Sequence, residues 1–572
     1  MLDDRDVSDL SAREYALAAL ATKPLPQPDY ISVDSDGVVL VLGRDGAAIE
    51  AALRLTETLD VTVLIEPGVG VDVPAGLPFP VARGRAASAS GRFGAYAVTV
   101  DGYVAPGATA IRDRVVSRCD LVLDLSGAAP LFPAHEARDG YLKADPADPV
   151  AMDAATRIAA ELVGSFDKPL YVAFRDHLCA HSRSNITGCT RCLDACAMEA
   201  ITPAGNHVSI DPYVCAGCGN CAAVCPTGAA SYALPSVDVT LDRLRDLVLA
   251  YREAGGRDAV VLFHDNYVGA PLVSAAGARL PGNVLPFSVN EIKQLGLESL
   301  AAPLAFGAAG VRILARRAPK NGIATLKGTS DLAQTIAGAL GYGDGACAIV
   351  HADTAEDLLA GLNAVPIGRP SANPSRFAPM GAKRGLLEFA LTTLHEVAPA
   401  PVPRVDLPSG APFGTLAVDV SGCTLCHSCV TACPTGALSA GEDRPLLAFS
   451  ESACVQCGLC AATCPEEVIA LQPRIDFEAW RAPRRVIKEE EPFPCIRCAK
   501  PFGTRSTIER VVAKLEGSHW MFSGENRRRL DAIRMCETCR VEAALNEGFD
   551  PYAGAPRPEP RTAAAYRAPG EG

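Results

Sequence analysis

Residues 423–465 read CTLCHSCVTACPTGALSAGEDRPLLAFSESACVQCGLCAATCP. Cys423, Cys426 and Cys429 stand three positions apart, and Cys433 follows with Pro434 behind it. After twenty intervening residues Cys454, Cys457, Cys460 and Cys464-Pro465 repeat the pattern. Three thiolates spaced by two residues curl around one corner of an iron–sulfur cube. The fourth, carried onto the next helical turn, points at a second cube. The spacing therefore predicts Cys423, Cys426, Cys429 and Cys464 around one 4Fe-4S cluster, and Cys454, Cys457, Cys460 and Cys433 around another. Proline after the fourth cysteine turns the chain without needing a backbone donor. Gly458 and Ala461 are small enough to leave room for a cube and to free amides toward its sulfurs.

A second array lies upstream. Cys215, Cys218, Cys221 and Cys225-Pro226 are regular, and the string Cys-Pro-Thr-Gly-Ala at 225–229 recurs at 433–437. The module is thus duplicated, over residues 189–233 and 423–472. The upstream copy departs in one half. Cys189, Cys192 and Cys196 are present, but position 186 is Ile. Cys179, ten positions before Cys189, is the expected substitute. The predicted sets are Cys179, Cys189, Cys192 and Cys225, and Cys215, Cys218, Cys221 and Cys196, with a 3Fe cluster as the alternative if Cys179 does not ligate. Ala197 replaces the proline after Cys196. His177 and His181 flank Cys179 and are read as loop histidines, because the thiolate count is already complete.

Cys495, Cys498, Cys536 and Cys539 form a third group of two Cys-x-x-Cys knuckles, matching a tetrahedral zinc site. A mononuclear iron or a further Fe-S cluster is the second reading of these four thiols. Ser506 and Glu509 read as a capping box. Ile508, Val511, Val512 and Leu515 follow as a helical face that stops at Gly517. Cys119 and Cys347 stand alone and read as small buried apolar residues.

The chain of 572 residues exceeds one domain. Its 22 cysteines, twenty of them in three groups, imply metal ligation in a reducing compartment rather than disulfides. The amino terminus is acidic and lacks a secretory pattern, and the longest apolar run, Leu300–Val311, contains Pro303 and is too short to span a bilayer. A cytoplasmic protein without a membrane span is expected. The balance of 53 basic and 66 acidic residues, net −13, argues against nucleic-acid binding. The single tight basic run, Arg527–Arg529, reads as a solvated helix face.

The predicted fold class is α/β multidomain. Two ferredoxin-like α+β dicluster modules are inserted among Rossmann-like α/β domains, with a small four-cysteine metal-binding domain at the end. Residues 1–165 read as a Rossmann-like domain, with VVLVLG, a helix and VTVLIEP forming a βαβ unit over 38–66. One apolar strand is expected over Arg118–Ser126 and a helix over Pro149–Val163. The first dicluster module occupies 166–235. A second α/β domain occupies 236–350, with a helix near Leu241–Tyr251, strands at 259–263 and 310–315, and a helix from about Ser288. Residues 351–410 hold a helix near Leu386–Val397 and the start of a Pro-rich linker, 411–475 the second dicluster module, 485–550 the four-cysteine domain, and 551–572 a disordered tail.

The cysteine arrays resemble the bacterial dicluster ferredoxin family. The stretch VLVLGRDGAAIEAAL followed by VTVLIEP resembles the flavin-binding opening of the heterodisulfide reductase A subunit. In that family glycines let the backbone approach a pyrophosphate. Here Gly43 survives, Asp45 holds the second glycine position and Ala48 the third, so Gly43 and Glu66 are what a degenerate site would keep. An Asp at 45 crowds and repels a diphosphate, which argues against FAD. The segment 259–315 resembles the delta subunit of methyl-viologen-reducing hydrogenase, without that family's 2Fe-2S cysteines.

The cysteine arrays and their resemblance imply a protein that relays electrons through four 4Fe-4S clusters, and the third cysteine group adds one zinc. It would serve as a subunit or partner of a redox complex, between a protein donor and a protein acceptor. The alternatives are a flavin-containing reductase subunit, or an accessory protein for a molybdenum-dependent dehydrogenase such as formate dehydrogenase. A non-catalytic carrier is the first expectation, and an oxidoreductase the second. Oligomeric state is not legible in these residues.

Overall fold

The computed structural model describes residues 4–68, 72–133, 138–319, 322–518, 522 and 529–546. Arg527 and Arg528 of the basic run, and the tail from 551, lie outside the described residues. The chain forms two compact units, Met1–Leu407 and Pro408–Gly572. The division falls inside the Pro-rich stretch 398–414.

The first unit opens with an α/β sheet. Strand Val38–Gly43 pairs in parallel with Asp60–Ile65 on one side and Leu121–Leu125 on the other. Helix Gly46–Leu55 joins the first two, as the 38–66 pattern predicts. The apolar runs are long because both faces of these strands are covered. Val39, Val41, Leu121 and Leu123 pack under the helices Gly46–Leu55 and Pro149–Glu161, while Leu40, Leu42 and Val122 join Tyr96 and Phe132 on the other face. A long antiparallel pair, Val81–Arg92 with Ala95–Val104, extends the sheet.

The segment 118–126 is not one strand. Val115–Cys119 pairs with Ala95–Val104, whereas Leu121–Leu125 pairs with Val38–Gly43. Asp120 makes the break. Its carboxylate accepts from the Val38 amide at 3.0 Å, and its own amide donates to the Val38 carbonyl at 2.8 Å. Cys119 therefore ends a strand instead of opening one, and it is buried, as is Cys347.

The second α/β layer has four parallel strands in the order Val284–Val289, Val260–Asp265, Gly310–Ala315, Cys347–His351. Helix Val237–Glu253 packs against helix Leu297–Ala305. The helix expected from about Ser288 begins at Leu297 instead. Residues up to Val289 are strand, and the chain reaches the helix Leu297–Ala305 through a short 3-10 turn. β-Branched and aromatic residues in VLPFSV favour strand over helix. Helix Leu297–Ala305 is buried on every side, Pro303 included, and its one charged residue, Glu298, lies 3.9 Å from the buried Lys383 ammonium. Arg312, 1% exposed, is held by three carbonyls, those of Val311, Gly345 and Pro366. The amino-terminal helix Asp4–Ala21 packs on this layer, with Arg13 donating to the carbonyls of Leu280 and Pro281.

The first cysteine array is closed off by the antiparallel pair Val172–Phe174 with Ala230–Tyr232. In the second unit the equivalent frame is Gly414–Val418 with Ile469–Asp476. Helix Arg505–Ser518 follows. Its start is not the expected Ser506–Glu509 box. The Ser506 amide and hydroxyl both donate to the Glu490 carboxylate, while Glu509 faces Arg505. A partner sixteen positions upstream outcompetes the local one because Lys488 and the preceding strand already hold Glu490 there. Among the described residues no helix is long and apolar enough to cross a membrane.

Candidate metal centres

Four five-residue helices carry the arrays: Arg191–Ala195, Asn220–Val224, Ser428–Ala432 and Leu459–Thr463. The third cysteine of each run, Cys192, Cys221, Cys429 or Cys460, is the second residue of its helix. The fourth, Cys196, Cys225, Cys433 or Cys464, follows the last helical residue in extended conformation. That change of backbone direction turns the fourth thiol away from the first three.

Three of the four loops before these helices share a second signature. Gly217 and Gly219, Leu425 and His427, and Gln456 and Gly458 all have positive φ. Left-handed residues alternating with right-handed ones aim successive amides inward and make an anion-binding concavity. Leu425, His427 and Gln456 hold this conformation without being glycine, at a cost of about 1–2 kcal/mol each that the surrounding structure must offset. Gly458 is needed for its φ of +83° more than for space, since a Cβ there would meet only Leu471, at 3.9 Å. At Gly217 a Cβ would strike the Tyr171 ring at 2.6 Å.

The fourth loop, around Cys189 and Thr190, lacks the signature, and here the chain supplies Cys179 by another route. Ser182–Arg183 pairs with Ile186–Thr187, and Ser184 and Asn185 between them both have positive φ, 51° and 63°. This is the geometry of a tight two-residue hairpin turn. The amide of Cys189 then bonds the carbonyl of Ala180 at 3.0 Å. Ten residues of sequence thus collapse to neighbours. His181 is buried, with Nδ1 3.1 Å from the Cys189 carbonyl, whereas His177 is exposed.

Within each array the thiols come close together. Burial and then the neighbouring Cys225, Cys189 and Cys179 push the Cys192 thiol up to about 12. Burial and then Cys215, Cys218, Cys196 and Cys192 raise Cys221 well above its ordinary value. Cys423, Cys426, Cys429 and Cys464 line one small cavity, and Cys433, Cys454, Cys457 and Cys460 line another. Thiols crowded in this way resist ionisation one by one, and a cationic metal core is what makes four adjacent thiolates stable. Donors also reach the sulfurs: the Ala230 amide to Cys225 and Gln456 Nε2 to Cys454, each at 3.3 Å. Cys426 is exposed, and hydrogen bonds from Ser428 outweigh its residual burial to hold its thiol below the ordinary value.

The third group also converges. The sulfurs of Cys495, Cys498, Cys536 and Cys539 all lie within 4.8 Å of one another. Cys495 precedes a turn through Ala499 at positive φ, and Cys539 sits in helix Glu537–Asn546. The Cys536 amide donates to Cys495 Sγ at 3.3 Å.

Gly43 and Glu66 line one cleft of the amino-terminal sheet together with Asp124 and Arg85. A Cβ on Gly43 would overlap that of Ala48 at 2.1 Å, so the close strand-to-helix approach is present. Asp45 caps helix Gly46–Leu55, its carboxylate accepting from the Ala47 amide at 3.0 Å.

Residues 187–229 and residues 422–469 each match a 4Fe-4S dicluster domain family. The chain therefore contains two dicluster domains, which imply four 4Fe-4S clusters and electron transfer. No curated protein matches the chain. Sequence reasoning missed the left-handed loop residues Leu425, His427 and Gln456. Nothing in their side chains announces them, and only their place between cysteines does.

Proposed function

We propose that this chain is a one-electron conduit, a subunit or partner of a cytoplasmic redox complex, with its sixteen array cysteines holding four cubanes. Cys179, Cys189, Cys192 and Cys225 hold one, and Cys215, Cys218, Cys221 and Cys196 the second. Cys423, Cys426, Cys429 and Cys464 hold the third, and Cys454, Cys457, Cys460 and Cys433 the fourth. The clusters supply reversible one-electron chemistry. The protein supplies thiolates, inward amides and a largely buried setting, which select potentials within a range of roughly −700 to +450 mV. The observation that carries this reading is the repeated pairing of a three-cysteine loop with a fourth cysteine from the other half of the same module. Exposed Cys426 makes its cluster the natural port to a partner protein.

The four carboxy-terminal thiols suit a single ion. Zinc–sulfur bonds of about 2.3 Å place sulfurs about 3.8 Å apart, close to the 3.7 Å between the Cys498 and Cys536 sulfurs. Zinc in a structural role is our assignment. The carboxylate of Asp45, already seated on the helix start, favours a chain that works without flavin, and Gly43 and Glu66 as remnants of a dinucleotide-binding ancestor like the heterodisulfide reductase A subunit.

Anaerobic purification followed by iron, sulfide and zinc analysis tests the assignment. About 16 iron and 16 sulfide per chain, with about one zinc, are expected. Iron-free, colourless protein would remove the proposal.

A further inference from the structure

Within the first unit a solvent-open cleft of about 130 Å³ lies between the amino-terminal sheet and the loop that carries Cys215. Val214 and Ala216, on either side of that cysteine, form part of its lining. Three cations converge on it: Arg92, Arg138 and Lys168. In a chain of net charge −13 this is a local reversal of sign.

One carboxylate, that of Asp139, lines the cleft with the three cations. Arg92 lies flat over the Tyr213 ring, 3.7 Å from its centroid. Lys168 Nζ donates to the Tyr213 carbonyl at 2.7 Å. Arg138 donates to the Gly91 carbonyl and lies over the Phe132 ring, 4.8 Å from its centroid, and its buried Nε has no hydrogen-bond partner among the described residues. Asp139 stands 3.8 Å from Lys168, but its side chain is 81% exposed. Asp211 is occupied by the amides of Tyr213 and Val214. Burial, and then the nearby Arg92, lower the Lys168 pKa against the pull of Asp139, Cys215 and Asp211. Like charges held together over a low-dielectric wall focus a positive potential into the cleft.

We infer that this cleft is a binding site for a small polyanion, a phosphate group or a dicarboxylate, seated on Arg92, Arg138 and Lys168 beside the Cys215 loop. The aromatic face of Tyr213 and the Phe93 carbonyl, which accepts from Arg92 Nη1 at 3.1 Å, fix the Arg92 guanidinium at the wall of the cleft.

The test is calorimetric titration of the anaerobically purified full chain at constant ionic strength. Inorganic phosphate is the probe in one arm and malonate in the other. Saturable binding of one of them is expected, and the stronger arm identifies the source. Arg92→Gln and Arg138→Gln should each weaken it about tenfold or more, while Arg92→Lys keeps part of the affinity and Arg85→Gln, in the separate cleft, leaves it unchanged. Absence of saturable binding in both arms overturns the inference, as does binding that neither glutamine variant alters. In either case the cations serve only as counter-charges to the cluster. Iron analysis of the same samples reports separately on cluster ligation, so failure of one reading is not failure of the other.

Discussion

At the scale of single residues, Cys179 and Cys347 give opposite expectations from similar burial. Both thiols are under a tenth exposed, yet one sits among three other cysteines and one on a strand beside Arg312. Cys179→Ala should cost one cubane, so iron falls by about four atoms per chain. Cys347→Ala should leave iron unchanged. Both are checked by elemental analysis.

Gln456 offers a finer probe, because its Nε2 reaches the Cys454 sulfur. Hydrogen bonds to thiolates favour the reduced, more negative core. Gln456→Leu should therefore lower the midpoint of that cluster, by roughly 40 mV if the bond contributes about 1 kcal/mol. Redox titration followed by EPR reads the shift.

Asp124 is the residue with a definite pH signature. It is 1% exposed, and burial alone would raise its pKa. Hydrogen bonds from Ser126, Tyr141 and Lys143 outweigh that and hold it below the ordinary 3.8. A depressed carboxylate binds fewer protons folded than unfolded. Its contribution is present in full above the ordinary value and fades as pH falls through the folded one. Asp124→Asn should thus destabilise the amino-terminal sheet at neutral pH, by about 1–3 kcal/mol, since Ser126, Tyr141 and the partly exposed Lys143 lose their charged acceptor. Hydrogen exchange of Leu121–Leu125 measures this directly. Melting curves at decreasing pH should show the gap between wild type and variant closing.

Among the elements, the hairpin Ser182–Thr187 does the most with the least. Its two left-handed residues, Ser184 and Asn185, bring Cys179 beside Cys189. Asn185→Gly should be tolerated. Asn185→Val asks a β-branched residue to adopt positive φ, at about 1–2 kcal/mol or more, and should loosen the cluster that Cys179 serves. Faster loss of one cluster's EPR signal under a chelator, in the valine variant alone, is the expected outcome. The four short cysteine helices are too brief to be stable alone. Their geometry is fixed by the frames around them, and their cores contain the cysteines themselves, as with Cys179 and Cys221 packed beside Val208 and Tyr232.

For the molecule as a whole, the division at Leu407 places one dicluster domain in each compact unit. Limited proteolysis near the Pro-rich join should release two fragments, each carrying iron. The four-cysteine group belongs to the second.

The sequence by itself determined the two arrays, because ligand spacing is a local property and a cube tolerates few alternatives. It also determined the βαβ opening, where apolar runs and the helix between them agree in period. It could not show that 118–126 divides between two strand partners, that Glu490 rather than Glu509 meets Ser506, or that strand continues through Val289. Each of those depends on groups distant in the chain, and a hydrogen bond is awarded to whichever partner the fold brings nearest. The cationic cleft beside Cys215 is of the same kind. Arg92, Arg138 and Lys168 are unremarkable in sequence, and only tertiary structure puts three like charges against one wall.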